Sequence, residues 1–106
     1  MTAAGLLNVF EWLADEVAHD VQLQTLRVFL FVATRGECTQ KDVEQGLNMT
    51  GASVSRNISY WTTRRFDKAQ GMGFIERSED DEDRRLKKLI LSRSGQAFYN
   101  KLKGKI

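Results

Sequence analysis

A mainly helical fold with one small β-hairpin is what this 106-residue sequence predicts, and three observations carry it. Apolar residues recur at helical spacing along most of the chain, with Thr39, Thr50 and Ser92 standing where helix N-caps would stand. Within residues 39–64 two such stretches are separated only by Asn48-Met49-Thr50-Gly51, which is turn chemistry. Next come two short runs, Phe74 to Arg77 and Leu86 to Leu91, on either side of a polar tip longer than a tight two-residue turn. Helices, a helix-turn-helix and an immediately following hairpin, in that order and in one domain, make a winged helix-turn-helix.

Taken in order, residues 3–18 read as a helix with Leu6, Val9 or Phe10, Leu13 and Val17 on one face. Leu7 and Trp12 widen its apolar surface beyond a narrow stripe, and a surface of that size is normally covered. Two covers are open. One is a second copy of the chain, with Leu6, Phe10, Leu13, Val17, Phe98 and Leu102 as dimer contacts; the other is the chain's own domain. Val21 to Arg35 is apolar nearly all round at its centre, as in a buried central helix, and Gly36 ends it. The helix-turn-helix then follows without room for another element.

Thr39 can cap the first helix of that motif. Asp42 sits three residues later, where a capping box prefers Glu or Gln, so the cap signal is partial. Thr50 caps the second helix, on which Val54, Ile58 and Trp61 recur at i, i+4 and i+7 as one buried stripe. At roughly 100° per residue, the opposite face carries Ala52, Arg56, Ser59, Tyr60 and Thr63, flanked by Ser53 and Asn57. Small residues at the helix start let a partner approach the backbone. Arg56 and Asn57 carry the donors and acceptors that read base edges or grip phosphates, although a solvated amphipathic helix would offer the same face. Further on, Gly71 and Gly73 permit a sharp turn, Leu89 and Leu91 face the core while Lys88 and Ile90 face out, and a last helix spans residues 92–104 with Ala97, Phe98 and Leu102 at helical spacing.

Composition narrows the function classes. Hydrophobic residues at 42% and charged residues at 28% suit a soluble globular domain, and no apolar run could span a bilayer. Glu11, Asp15 and Glu16 interrupt any secretory signal, so the reading is cytoplasmic. The single cysteine, Cys38, precludes an internal disulfide. Next to a helix N-terminus it could favour the thiolate and sense redox state; a packed thiol is the plainer reading. One Cys and one His, His19, do not make a zinc site, and neither a nucleophile–base pair nor a phosphate-cradling glycine loop is present. No enzyme activity and no cofactor are expected. Net charge is only +2, yet from Arg84 onward eight basic residues occur without an acid, and Arg56, Arg64, Arg65 and Lys68 precede them. That distribution is a footprint for a polyanion.

Four pieces occur in a telling order: Val54-Ser55-Arg56, Gly73-Phe74-Ile75-Glu76-Arg77, Asp83-Arg84-Arg85 and Leu91-Ser92-Arg93-Ser94-Gly95. With TQKDVEQGLNMTGASVSRNI ahead of them, the stretch from about Leu23 to Phe98 resembles the winged-helix domain of MarR-type transcriptional regulators. The resemblance implies a homodimer on a partly palindromic double-stranded DNA operator, in the simplest case a repressor covering a promoter. The helix from Gly51 to Arg64 would enter successive major grooves, and Arg84 or Arg85 at the wing tip would reach a minor groove. Asp83 would hold Arg85 by an ion pair and leave Arg84 freer. On this reading the DNA contacts are Thr39, Gln40, Thr50, Ala52, Ser53, Ser55, Arg56, Asn57, Tyr60, Arg64, Arg84 and Arg85.

Three departures from the family pattern stand out. The span from Ser55 to Gly73 is longer than usual by roughly two helical turns, so either the recognition helix is extended or a loop is inserted around Phe66 to Gln70. The chain stops at Ile106, before the long C-terminal helix used for dimerisation and for an effector pocket. That leaves dimer contacts to the N-terminal helix with Phe98, Tyr99 and Leu102, makes a small-molecule effector doubtful, and suits a phage- or plasmid-encoded variant. Finally, the wing carries five consecutive acids, Glu79 to Asp83, which repel phosphate unless the following arginines neutralise them or the tip turns away. These features keep two other readings open. One is a winged-helix protein-interaction module, such as a phage factor docking on a host protein; the other is the DNA-binding part of a replication or packaging complex.

Overall fold

The computed structural model describes residues 1–63, 70–79, 81–83 and 85–106. Helices α1 (Ala3–Glu16) and α2 (Leu23–Arg35) come first, then strand β1 (Glu37–Thr39) and the helix pair α3 (Gln40–Leu47) and α4 (Gly51–Trp61). Strands β2 (Ile75–Glu79) and β3 (Lys87–Leu91) form the wing, and α5 (Arg93–Lys105) closes the fold. The sheet is antiparallel in the order β1-β3-β2. Among the described residues no helix is long and apolar enough to cross a membrane.

β1 corrects the expectation of a bare two-stranded hairpin with no element ahead of the helix-turn-helix. Three residues are too few to declare a period of two; they become a strand because Glu37 to Thr39 lie opposite Ile90 to Lys88 of β3.

The caps follow the sequence closely. Thr39 accepts from the Asp42 N–H at 3.1 Å while the Asp42 carboxylate accepts from the Thr39 N–H at 2.9 Å, so Asp completes the capping box despite its shorter reach. Thr50 caps α4 through the Ser53 N–H, and Ser92 caps α5 through the Gly95 N–H.

The core is centred on Phe29 of α2. Its ring lies 4.9 Å from that of Trp61 and 5.4 Å from that of Phe98, with Val28, Val32, Val43, Val54, Ile58 and Leu89 fully buried around it. α2 is not apolar-buried all round, as its centre suggested: Leu23 and Leu30 are exposed, because α1 covers only part of that side. α1 ends at Glu16 rather than at residue 18. It packs on its own chain through Val9 and Leu13, with Trp12 stacked on Phe98 at 5.2 Å. Of the residues expected at a dimer contact, Leu13, Phe98 and Leu102 therefore lie in the core of the single chain, Val17 is half-buried, and Leu6 and Phe10 are exposed.

α4 stops at Trp61, which corrects the helix drawn to Arg64. The cause is not local sequence. The amides of Met72, Phe74, Gly73 and Gly71 take the carbonyls of Tyr60, Trp61, Thr62 and Thr63 respectively, at 2.7–3.2 Å, so a second segment claims the acceptors a longer helix would use. A Cβ at Gly71 would land on the Thr62 carbonyl oxygen, so glycine permits this approach. Gly71 thus lies beside Thr63; the stretch expected to hold an inserted loop, with Arg64, Arg65 and Lys68, lies mostly outside the described residues.

The Leu91-to-Gly95 motif has a structural role. The Ser92 and Ser94 hydroxyls donate to the Gly73 carbonyl at 2.6 and 3.1 Å, and the Ser92 N–H donates to the Phe74 carbonyl at 2.9 Å. These bonds fasten the start of α5 to the root of β2.

Candidate nucleic-acid interface

α4 buries Val54, Ile58 and Trp61, the stripe read from the sequence, and leaves Ala52 and Arg56 exposed, with Ser53 and Ser55 half-buried beside them. Two of its polar residues point the other way. Asn57 is 8% exposed: its Oδ1 accepts the Thr25 hydroxyl at 2.6 Å and its Nδ2 donates to the Ser53 carbonyl at 2.8 Å. The Trp61 indole N–H donates to the Thr25 carbonyl at 2.8 Å. Asn57, expected to touch DNA, instead fastens α4 to α2, and no buried polar side-chain atom among the described residues is left unsatisfied. Ser59 is 7% exposed and accepts from Arg77. Tyr60 is half-buried, its ring roughly perpendicular to that of Trp61 with centroids 5.2 Å apart.

The wing grades from apolar to charged along one face. Ile75, Arg77 and Glu79 share the face of β2 that looks toward the helices, paired across the ribbon with Leu91, Leu89 and Lys87. Where the core gives out, charge pairing replaces burial: Lys87 meets Glu79 at 3.3 Å. Toward the tip Asp83 accepts from the Arg85 side chain at 3.1 and 3.2 Å and from its backbone N–H at 3.0 Å, which holds the Asp83 carboxyl below its ordinary range. The tip acids Glu79 and Asp83 are thus matched by cations of the wing itself, and the Arg85 side chain stays largely exposed. Between the first turn of α3, α4 and this ribbon runs an open groove lined by Gln40, Ser55, Arg77, Ser78, Glu79 and Lys87.

A model of the MarR family matches residues 19–86, well over half of the chain. The chain belongs to the MarR family. A curated relative from Bacillus subtilis, the uncharacterised HTH-type transcriptional regulator YfiV, is 28% identical over 102 residues, which is 96% of this chain and 56% of that protein. The chain thus spans a little over half the length of that relative. Among solved structures, FabT of Streptococcus pneumoniae in complex with DNA superposes with a TM-score of 0.71 at 18% identity, covering 94% of this chain and 64% of FabT. YusO of Bacillus subtilis gives 0.72 at 14% identity, over 96% of this chain and 64% of that one. An Escherichia coli MarR variant complexed with operator DNA gives 0.65 at 14% identity, covering 93% of this chain and 66% of the variant. At these identities the likeness is one of fold.

In this MarR-family chain the residues singled out from the sequence, apart from the inward-facing Asn57 and the half-buried Tyr60, divide into three groups. Gln40 and Ser55 line the groove, with Arg56 and Ala52 on the exposed face of α4 and Arg85 at the wing tip. Thr39, Thr50 and Ser53 stand at helix starts, where the two threonine hydroxyls already serve as caps. Arg64 and Arg84 lie outside the described residues. Sequence reasoning gave Arg77 no role, although it sits in the Gly73-to-Arg77 motif and shares a strand face with Ile75. Its partners Gln40, Ser55 and Ser59 lie 37, 22 and 18 residues away, beyond any local pattern.

Cys38 corrects the thiolate reading. It is buried opposite Leu89, and burial, reinforced by the Asp42 carboxylate, pushes its thiol up to about 11. The folded chain holds this proton to higher pH than the unfolded chain, whose thiol titrates near 9.0. Its contribution to stability is therefore complete below that value and lost as pH rises toward 11. Urea midpoints should fall more steeply between pH 9 and 11 in the wild type than in Cys38→Ala, and native Cys38 should resist alkylation at pH 8. Parallel profiles with rapid alkylation would refute this assignment.

Proposed function

We propose that this chain is a sequence-specific double-stranded DNA-binding transcriptional regulator, not an enzyme, acting as a homodimer and in the simplest case as a repressor. One observation supports the reading above the others: α4 presents Arg56 and Ala52 outward beside a groove that carries Gln40, Ser55, Arg77 and Lys87. Eleven residues make α4 about 16 Å long, a length that lies along a major groove of B-DNA. FabT and the E. coli MarR variant were each solved with DNA on this fold.

Arg56, Ala52 and Ser55 take the base-edge positions in this reading. Thr39, Gln40, Thr50 and Ser53 are phosphate anchors near helix N-termini, Tyr60 is a marginal contact, and Arg85 with Arg84 and Arg64 supplies charge around them. For the dimer, the exposed Leu6, Phe10, Leu23 and Leu30 form the apolar surface, with Leu13, Phe98 and Leu102 supporting it from beneath.

Fragments selected from a random DNA pool should share a two-fold motif with arms about one helical turn apart. On the selected fragment, Arg56→Ala should weaken binding by about 1–3 kcal/mol and relax preference at one base pair. An equal loss on random DNA would make Arg56 a phosphate clamp instead. No binding to any duplex at low salt would end the DNA-binding reading, because phosphate contacts strengthen steeply as salt falls.

A further inference from the structure

We propose that Arg77 is a positioning residue for DNA recognition, a strap that fixes the angle between the wing and α4. The inference rests on the DNA-binding reading above and deepens it. From β2 the guanidinium reaches Ser59 Oγ at 3.3 Å and Ser55 Oγ at 3.5 Å, one turn apart on α4, and Gln40 Oε1 at 3.5 Å in the first turn of α3. One side chain therefore touches both helices of the helix-turn-helix from the ribbon.

Its choice of partners sets it apart from the other paired cations of the sheet and wing. Among the described residues Lys87 pairs with Glu79, Lys88 with Glu37 and Arg85 with Asp83, while Arg77 joins none of these ion pairs and bonds only neutral oxygens. Each of its bonds is long and individually weak. Three acceptors around one planar fork nevertheless define a direction, which the single ammonium of a lysine would not. The position matters as much. At the base of the wing Ile75 is held by the core, and β1 supports β3 only from Lys88 to Ile90. Beyond the Ser78–Lys88 pair, which Thr39 still flanks, the ribbon continues as two strands, Glu79 against Lys87, whose twist is loosely determined by itself. Arg77 is thus the outermost described tie between β2 and the helices. It also accounts for Ser59 facing inward, where its hydroxyl meets this donor.

The test has a DNA-free arm and a DNA arm. Spin labels at Ala52→Cys and Asp81→Cys in a Cys38→Ala background report the distance from α4 to the wing tip, with thermal melting to verify that each variant folds. The distance distribution should be narrow with Arg77 present and broad in both Arg77→Ala and Arg77→Lys. On the selected DNA fragment, Arg77→Ala should weaken binding on the order of 10-fold. Arg85→Ala should then add little in the Arg77→Ala background, whereas Arg56→Ala keeps its full factor, since coupled sites fail to add and independent ones do not. An unchanged distance distribution overturns the proposal whether or not DNA binds. So does an Arg85→Ala penalty of equal size in both backgrounds, which would make Arg77 a separate phosphate contact. Failure of the wild type to bind any duplex would count against the DNA-binding reading alone, with the label distances still deciding whether the strap exists.

Discussion

Replacing Trp61 with alanine is expected to lower the unfolding free energy by about 3–5 kcal/mol, the range for deleting a large aromatic from a packed core. The side chain is 0% exposed, lies 4.9 Å from Phe29 and stacks on Phe74 at 6.1 Å. Its removal leaves a cavity where α2, α4 and the root of the wing converge. It also takes the indole donor from the Thr25 carbonyl, next to the bond from the Thr25 hydroxyl to Asn57. Against the ~5–15 kcal/mol of a typical domain, the variant should be partly unfolded at moderate temperature. Trp61→Phe separates the two contributions. It keeps an aromatic ring and loses the hydrogen bond, so a smaller cost of about 1–3 kcal/mol is expected. Urea midpoints at unchanged m-value measure both. A Trp61→Ala cost below ~1 kcal/mol would contradict a core built on this residue.

Gly95→Ala and Gly104→Ala are expected to move stability in opposite directions although both glycines lie on α5. In an exposed helix, alanine is favoured over glycine by up to about 1 kcal/mol. Gly104 has open space around it, so Gly104→Ala should be neutral to stabilising, with the gain reduced by its place in the last turn. At Gly95 the added Cβ would collide with the Phe74 carbonyl oxygen, and the same carbonyl accepts the Ser92 N–H. Because the obstacle is backbone, no rotamer change relieves it. α5 must lift off β2, which disturbs the Phe74–Phe98 stack at 4.7 Å. Such overpacking costs about 1–3 kcal/mol or more. Thermal melting of the two variants decides the matter, and a stabilised Gly95→Ala would mean that α5 does not sit against Phe74 in this way.

The sequence by itself determined the helices and their caps, the helix-turn-helix followed by a wing, and the buried stripe of Val54, Ile58 and Trp61. These are local properties: a cap needs one hydroxyl at the right place, and a stripe needs only a period. The family pattern was legible for the same reason, as short motifs in a fixed order. What the sequence left undecided was the direction of the polar residues between the stripes. Rotation about α4 put Asn57 and Ser59 on or beside the face opposite the core, because a polar side chain defaults to water. Only the tertiary structure brought Thr25 and Arg77 to them, from 32 and 18 residues away, and a buried amide or hydroxyl becomes acceptable once such a partner is in place. The end of α4 at Trp61, the existence of β1 and the depth of Cys38 were decided in the same way. Each depends on hydrogen-bonding groups or bulk supplied by a distant segment, and no window along the chain contains both halves of those contacts.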